Sequence, residues 1–303
     1  MASWRDLRAR AERDLAGIPY VAEPSVEARW LLERVLGYEA AELVASESEP
    51  ATARAHEHLA DMVARRAAGE PLQYVLGAWS FRGLDLFVDP RVLIPRPETE
   101  VTADVAIEEA LRLGARRGAA NPWAGASTTY TVVDLGTGSG ALALALAAEL
   151  PDAEVWATDV SEDALSVARA NLAGAGLPAT RVRLAAGSWF DALPRELQRG
   201  LRLVVANPPY VAEAERAALP PEVADHEPSD ALVSGPTGLE AINAIVTGAP
   251  SWLEPGRGAL VCELAPHQAH AAVERARAAG FAEAFVRPDL TGRERVLVAR
   301  LVR

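Results

Sequence analysis

The chain has 303 residues, half of them hydrophobic and 24% charged, a globular profile long enough for two domains. Its net charge is −12 and all 30 basic residues are arginine, so a basic face for gripping duplex phosphates is not expected. The lone cysteine, Cys262, rules out a disulfide within the chain, and no apolar run reaches the roughly 18 residues a spanning helix needs.

The opening segment, Met1 to Arg13, is charged and helix-like rather than a signal peptide, so a cytoplasmic protein without membrane contact is expected. Apolar residues keep helical spacing as far as Gly69. Ser25 is read as the N-cap of a helix over Val26–Leu36 that stops at Gly37, and a further helix spans Ala51–Ala68. Residues 1–75 form the first predicted domain, a small helical bundle that either caps the structure or docks a substrate. The period then changes. Trp79–Phe81 and Leu84–Val88 flank Arg82-Gly83, a β-hairpin with Gly83 at a positive-φ position, and residues 76–97 are read as a linker.

Residues 98–303 form the main predicted domain. A helix runs from Glu98 to Leu113, and a loop from Gly114 to Thr129. Strands are expected at Thr131–Leu135, Glu154–Thr158, Arg181–Ala186, Leu201–Ala206 and Ala259–Glu263. Phe281–Arg287 and Arg295–Leu301 follow as an edge pair, making seven. Helices alternate with them, giving an α/β, doubly wound, mostly parallel sheet.

Three stretches at strand ends carry chemistry. Asp134-Leu-Gly136-Thr137-Gly138-Ser139-Gly140 lies between a strand and a helix, where glycines let the backbone approach a ligand and the helix start offers free N–H groups. The glycines alone leave a dinucleotide site open, but Asp134 beside them favours a ligand with an ammonium group over a pyrophosphate. Asp159 ends the next strand, where a carboxylate can accept ribose hydroxyls. Trp189 follows the third strand and can wall an adenine ring. Most specific is Asn207-Pro208-Pro209-Tyr210, which stops a buried strand on a stiff bend. The Asn207 side-chain oxygen and the Pro208 carbonyl can accept both N–H groups of a planar NH2, and Tyr210 can stack on it. That alignment helps a weakly nucleophilic nitrogen attack a methyl electrophile. No metal is expected.

Glycine loop, Asp159 and Asn-Pro-Pro-Tyr together resemble class I methyltransferases that use S-adenosylmethionine and act on planar NH2 nitrogens. Gly69-Glu-Pro-Leu-Gln-Tyr74, Val92-Leu-Ile-Pro-Arg-Pro-Glu-Thr-Glu100, Asp225-His-Glu-Pro-Ser-Asp-Ala-Leu232 and Asp289-Leu-Thr-Gly-Arg-Glu-Arg295 narrow the likeness to the peptide chain release factor glutamine methyltransferases. The resemblance spans nearly the whole chain. It implies a seven-stranded class I methyltransferase sheet and methyl transfer to N5 of the glutamine in the Gly-Gly-Gln loop of class I release factors. It also implies cofactor binding at Gly136–Gly140, Asp159, Trp189 and Asn207, and substrate binding at Asn207, Pro208, Pro209 and Tyr210. A monomer is expected, since that form suits an enzyme that must embrace a large protein loop. Three departures stand out: Ser188 where an acid is common, Ala265 where glycine is usual, and a long Gly114–Thr129 loop. The competing reading is an N-methyltransferase acting on an exocyclic amine of adenine, cytosine or guanine in nucleic acid, which calls for a basic groove that the sequence does not supply. A non-catalytic cofactor-binding module is disfavoured by Asn207 and Tyr210 beside an intact loop.

Overall fold

The computed structural model describes residues 2–118 and 129–301. The chain divides into two compact units, one comprising Met1–Trp79 with Pro220–His226, the other Ser80–Leu219 with Glu227–Arg303.

The first unit is helical: Trp4–Leu15, Pro24–Leu36, Ala40–Ser46, Ala53–Ala67, Leu72–Leu76 and Pro221–His226. Ser3 caps the first helix by accepting from the Asp6 N–H, and Asp6 returns the bond to the Ser3 N–H at 2.8 Å. Such a reciprocal pair is worth about 1 kcal/mol. Thr52 does the same for Ala53–Ala67 by accepting from the Ala55 N–H. Ser25 is not the cap predicted for the second helix. Pro24 occupies the first helical position and Glu23 the cap, with no side-chain bond. Proline's fixed φ and missing N–H suit that first position, so the helix starts earlier. Leu15, Leu31, Leu32, Leu43 and Met62 fill the core. Arg66 is buried there with two acids: its Nε donates to Glu27 Oε2 at 2.7 Å and its Nη1 to Glu222.

A hairpin follows the helices, β1 (Trp79–Phe81) and β2 (Leu84–Leu86). Both turn residues, Arg82 as well as Gly83, have positive φ, as a two-residue turn of this twist demands. Arg82 is held there by Asp104 at 2.6 Å and Glu149 at 2.7 Å. The next helix spans Pro97–Gly118, so the first five residues of the predicted Gly114–Thr129 loop are helical. Of that loop, residues 119–128 lie outside the described residues.

The remaining strands are β3 (Tyr130–Leu135), β4 (Ala153–Asp159), β5 (Val182–Ala186), β6 (Leu201–Ala206), β7 (Val211–Ala212), β8 (Val233–Gly235), β9 (Ala259–Glu263), β10 (Glu283–Pro288) and β11 (Glu294–Arg300). Seven of them form one sheet in the order β10-β11-β9-β6-β3-β4-β5, with β11 antiparallel to both its neighbours and the rest parallel. β3, β6 and β9 lie in the interior and are mostly apolar, interrupted by Asp134 in β3 and Arg202 in β6, because helices cover both faces. One covering helix, Ala141–Glu149, alternates Ala and Leu and buries its first seven residues. The chain winds outward from β3 through β4 to β5, then returns to β6 and continues to β9 on the other side. The reversal at β3/β6 opens a crevice at the strands' carboxyl ends. Leu135 pairs with Ala206, and Ala206 with Cys262, so Gly136, Asn207 and Glu263 follow one another across that rim.

Candidate active site

A cavity of about 490 Å³ lies in the crevice, and all its walls belong to the second unit. Gly136, Thr137, Gly138, Ser139, Asp159, Trp189, Asn207 and Pro209 line it, each from a stretch singled out in the sequence. Asp134, Gly140, Pro208 and Tyr210 are not among its lining residues.

The glycine loop is tied to the neighbouring strand. The N–H groups of Gly136 and Thr137 both donate to the Thr158 carbonyl, at 2.9 and 2.8 Å. Gly136 has φ +74°, a value that favours glycine, and a Cβ there would touch the Trp189 ring at 3.4 Å, so loop and ring lie in contact. Asp159 bridges two backbones: Oδ2 accepts from Gly138 N–H and Oδ1 from Ser161 N–H, both at 2.9 Å. Burial holds its pKa above the usual carboxylate range, against those hydrogen bonds. Trp189 itself has φ +45°, a strained value for a non-glycine residue. Phe190 beside it is anchored by stacking on Trp252 at 5.8 Å.

Asp134 is wholly buried beneath the loop. Its Oδ2 accepts from Thr137 Oγ1 at 2.7 Å and from Ala143 N–H at 3.1 Å, while Oδ1 is without a partner. Burial pushes its pKa up to about 7. In this structure Asp134 acts as a peg that pins the loop to the following helix. Gly140, with φ +84°, is a packing residue: a Cβ there would sit 3.4 Å from Ala168.

Asn207 stands at the end of β6 and its Nδ2 donates to Thr99 Oγ1 at 3.0 Å. Pro208 is buried and Tyr210 half-buried behind it. Burial, reinforced by the nearby Glu263, pushes the Tyr210 phenol up to about 12, so it stays protonated at neutral pH. The Tyr210 carbonyl accepts from Gln268 Nε2 at 2.8 Å, and the same nitrogen donates to the Gly238 carbonyl at 3.0 Å. This buried amide sets the path of the chain leaving the bend.

Curated proteins and solved structures resemble the chain. It is 42% identical to a release factor glutamine methyltransferase of Deinococcus radiodurans, over 98% of both chains. It is 41% identical to that of Bordetella pertussis, covering 90% of this chain and 93% of the other. The chain belongs to the release factor glutamine methyltransferase family. The PrmC N-terminal domain matches residues 6–77 and the methyltransferase small domain residues 124–222. Among solved structures, the hMettl16 catalytic domain in complex with MAT2A 3'UTR hairpin 6 superposes with a TM-score of 0.55 at 18% identity, covering 80% of this chain and 83% of that one. The N-terminal domain of human METTL16 in complex with SAH gives 0.51 at 17% identity, over 80% and 84%. At such identities these neighbours establish the shared α/β methyltransferase fold.

Within this family member, several residues that build the site escape a reading of the sequence. Thr99 reaches Asn207 from the helix Pro97–Gly118. Asn171 donates from Nδ2 to the Ser139 carbonyl at 2.8 Å and fixes the far end of the glycine loop. Its one sequence signal is an amide on the buried face of an otherwise apolar helix, where Leu165 and Ala168 share its burial. Arg91, Val92, Leu93 and Pro95 form one wall, and Pro228, Asp230 and Ala231 another. These two walls are the segments that carried the family resemblance, and they are clamped together. Glu227 accepts from Arg96 Nη2 and, through Oε2, from the Ile94 N–H at 3.3 Å. Arg96 and Glu98 hold structure rather than line the cavity, Glu98 pairing with Arg293 at 3.4 Å.

Proposed function

We propose that this chain transfers a methyl group from S-adenosylmethionine to N5 of the glutamine in the Gly-Gly-Gln loop of class I release factors. The observation that carries the reading is Asn207, presented from a stiff bend at the rim of a cavity whose other walls are a glycine loop, a strand-end carboxylate and an indole ring. Family membership gives the acceptor its identity.

The residues fit the donor. Asp159 offers carboxylate oxygens for ribose hydroxyls, Trp189 a flat apolar wall for an adenine, and the loop from Gly136 to Ser139 close backbone approach. A Cβ on Gly138 would meet nothing within 4 Å, so the space beside that residue is open. S-adenosylmethionine, when bound, supplies an electrophilic methyl on a sulfonium. The chain's own part is alignment. The Asn207 oxygen and the Pro208 carbonyl accept the two N–H groups of the incoming amide. This turns the nitrogen lone pair toward the methyl and stabilises positive charge as it grows. Tyr210, a neutral phenol, packs against the planar amide. No strong base is required, because the nitrogen becomes acidic once alkylated and gives up its proton afterwards. Placement of this kind contributes on the order of 10²-fold per well-set group.

We assign the partner as a release factor rather than nucleic acid, and the compartment as the cytoplasm. Among the described residues no helix is long and apolar enough to cross a membrane. The test is transfer of a radiolabelled methyl from S-adenosylmethionine, with a class I release factor, the same factor carrying Gly-Gly-Ala, and duplex and single-stranded DNA and RNA as parallel acceptors. Label is expected in the unaltered factor alone. Incorporation into nucleic acid, or equal labelling of the Gly-Gly-Ala factor, refutes the assignment.

A further inference from the structure

The wall made by Arg91, Val92, Leu93 and Pro95 is a strap held by side chains. Residues 92–96 belong to no helix or strand, so no ladder of backbone hydrogen bonds fixes them. Pro95 and Pro97 fix their own φ and push Ile94 and Arg96 toward extended backbone, which keeps the segment stiff. Both ends are tied down. At one end Arg91, paired with Asp89 at 2.5 Å, reaches Ser166 Oγ at 3.5 Å, on the helix that follows Asp159. At the other, Thr99 Oγ1 accepts from Asn207 Nδ2 at 3.0 Å. The strap therefore runs along the cavity from the side of Asp159 to that of Asn207.

Between those ends, extended backbone sends successive residues to opposite sides. Leu93 and Pro95 line the cavity, and Ile94 and Arg96 do not. These two turn to Glu227 instead. Its Oε2 accepts from the Ile94 N–H at 3.3 Å and its Oε1 from Arg96 Nη2. The Glu227 side chain is 1% exposed. A carboxylate sealed from water to that degree is costly unless an opposite charge and hydrogen bonds answer it, and the strap supplies both. The next residue, Pro228, begins the facing wall with Asp230 and Ala231. One buried carboxylate thus ties the middle of the strap to the wall opposite.

We propose that Arg96 and Glu227 are positioning residues for the methyl donor. Their ion pair is a latch that holds the strap along the cavity, and it sets how long S-adenosylmethionine and the spent S-adenosylhomocysteine stay bound. This rests on the methyl-transfer reading above. The glycine loop and Asp159 are fixed by the sheet, whereas the strap depends on a side-chain contact 131 residues apart in sequence. With the latch broken, the strap spends part of its time open, and donor affinity falls in proportion to the closed fraction that remains.

The test uses the full chain. Arg96→Met combined with Glu227→Gln removes both charges together, so none is stranded, and keeps an acceptor for the Ile94 N–H. Arg96→Lys keeps a cation that can reach one carboxylate oxygen. Calorimetric affinity for S-adenosylmethionine is expected to fall about 10-fold in the double variant and to stay within about 3-fold of wild type in Arg96→Lys. The loss should appear as faster dissociation of S-adenosylhomocysteine in stopped-flow displacement. KM for the donor should rise in step, while KM for the release factor stays within about 3-fold of wild type. Wild-type affinity in the double variant, equal losses in the double variant and Arg96→Lys, or an equal rise in both KM values overturns the proposal. A measurement on the unaltered protein is independent of how any variant folds. Hydrogen exchange at the Ile94 amide should slow by about 10-fold when S-adenosylmethionine is added, and an unchanged rate overturns the latch. The outcomes also separate this proposal from the functional reading. If the unaltered protein binds no S-adenosylmethionine, the methyl-transfer reading falls and the latch falls with it. If it binds the donor, shows these affinity and exchange changes, and methylates no release factor, the acceptor assignment falls and the latch stands.

Discussion

Asp134→Asn should make the protein more stable at pH 8 and leave it nearly unchanged in acid. Asp134 is sealed under the glycine loop with one oxygen bonded to Thr137 and Ala143 and the other unpartnered. Burial lifts its pKa from 3.8 to about 7. The folded state therefore holds a proton that the unfolded chain releases near pH 4. The stability linked to that proton is complete below the unfolded pKa, declines as pH rises between the two values, and is gone above about 7. A tenfold change in proton affinity corresponds to about 1.4 kcal/mol, so the whole span is on the order of 4 kcal/mol. Asparagine copies the protonated carboxyl: its oxygen accepts the same two donors, and its NH2 replaces the protonated oxygen. It has no charge to bury at any pH. The stability of the variant relative to wild type should thus grow by about 2–3 kcal/mol between pH 5 and pH 8. Paired urea denaturations at pH 5, 6, 7 and 8, followed by circular dichroism, measure it directly. A difference that does not change with pH would refute the account of Asp134 as a buried acid, and so would a variant less stable throughout.

Three further substitutions test other parts of the structure. Asn207→Ala should keep the fold and S-adenosylmethionine affinity while lowering kcat by at least about 10²-fold, since it removes an acceptor from the reacting nitrogen; normal turnover would remove Asn207 from the chemistry. Gly238→Ala should destabilise the second unit by about 3 kcal/mol and impair transfer. Its φ is +75°, and the new Cβ would lie 2.6 Å from the Tyr210 carbonyl and 2.9 Å from Gln268 Nε2, displacing the amide that supports the bend. A wild-type melting temperature would show that this amide bridge is dispensable. Arg66→Ala strands Glu27 inside the helical unit and should cost about 3–5 kcal/mol there. Hydrogen exchange over Pro24–Leu36 should rise sharply, and unchanged protection would mean that the ion pair does not hold the bundle.

What can be read from the sequence follows from how local each signal is. The interior strands are legible because parallel strands covered on both faces are predominantly apolar, and Leu201–Ala206 shows that with five apolar residues in six. The glycine loop, Asp159 and Asn207 are legible because each sits where a strand stops, so the residue type and its place on the crevice rim come from the same few letters. Boundaries move where two local signals compete. Ser25 has the chemistry of a cap, yet Pro24 takes the first helical position and the helix starts before it.

The supporting shell is not legible, because its meaning lies in pairings between distant segments. Thr99 is an ordinary residue in the first turn of a helix until the fold sets it beside Asn207, 108 positions on. Thr102 meets Glu263 across a separation of 161. Glu263 does carry a signal that a reader could use. An acid at the end of a fully apolar strand, Ala-Leu-Val-Cys-Glu, is destined for the sheet rim, and rim carboxylates without a surface position need hydrogen-bonding partners. The same reasoning separates two acids that look alike in sequence. Asp134 and Asp159 each stand near the end of a parallel strand, yet only Asp159 reaches the cavity. Asp159 is the last residue of β4, whereas Asp134 pairs with Ala157 and so lies two residues deeper on the same face of the sheet. A carboxylate at that depth sits beneath the glycine loop and pins it, while one at the rim is placed to meet the ligand.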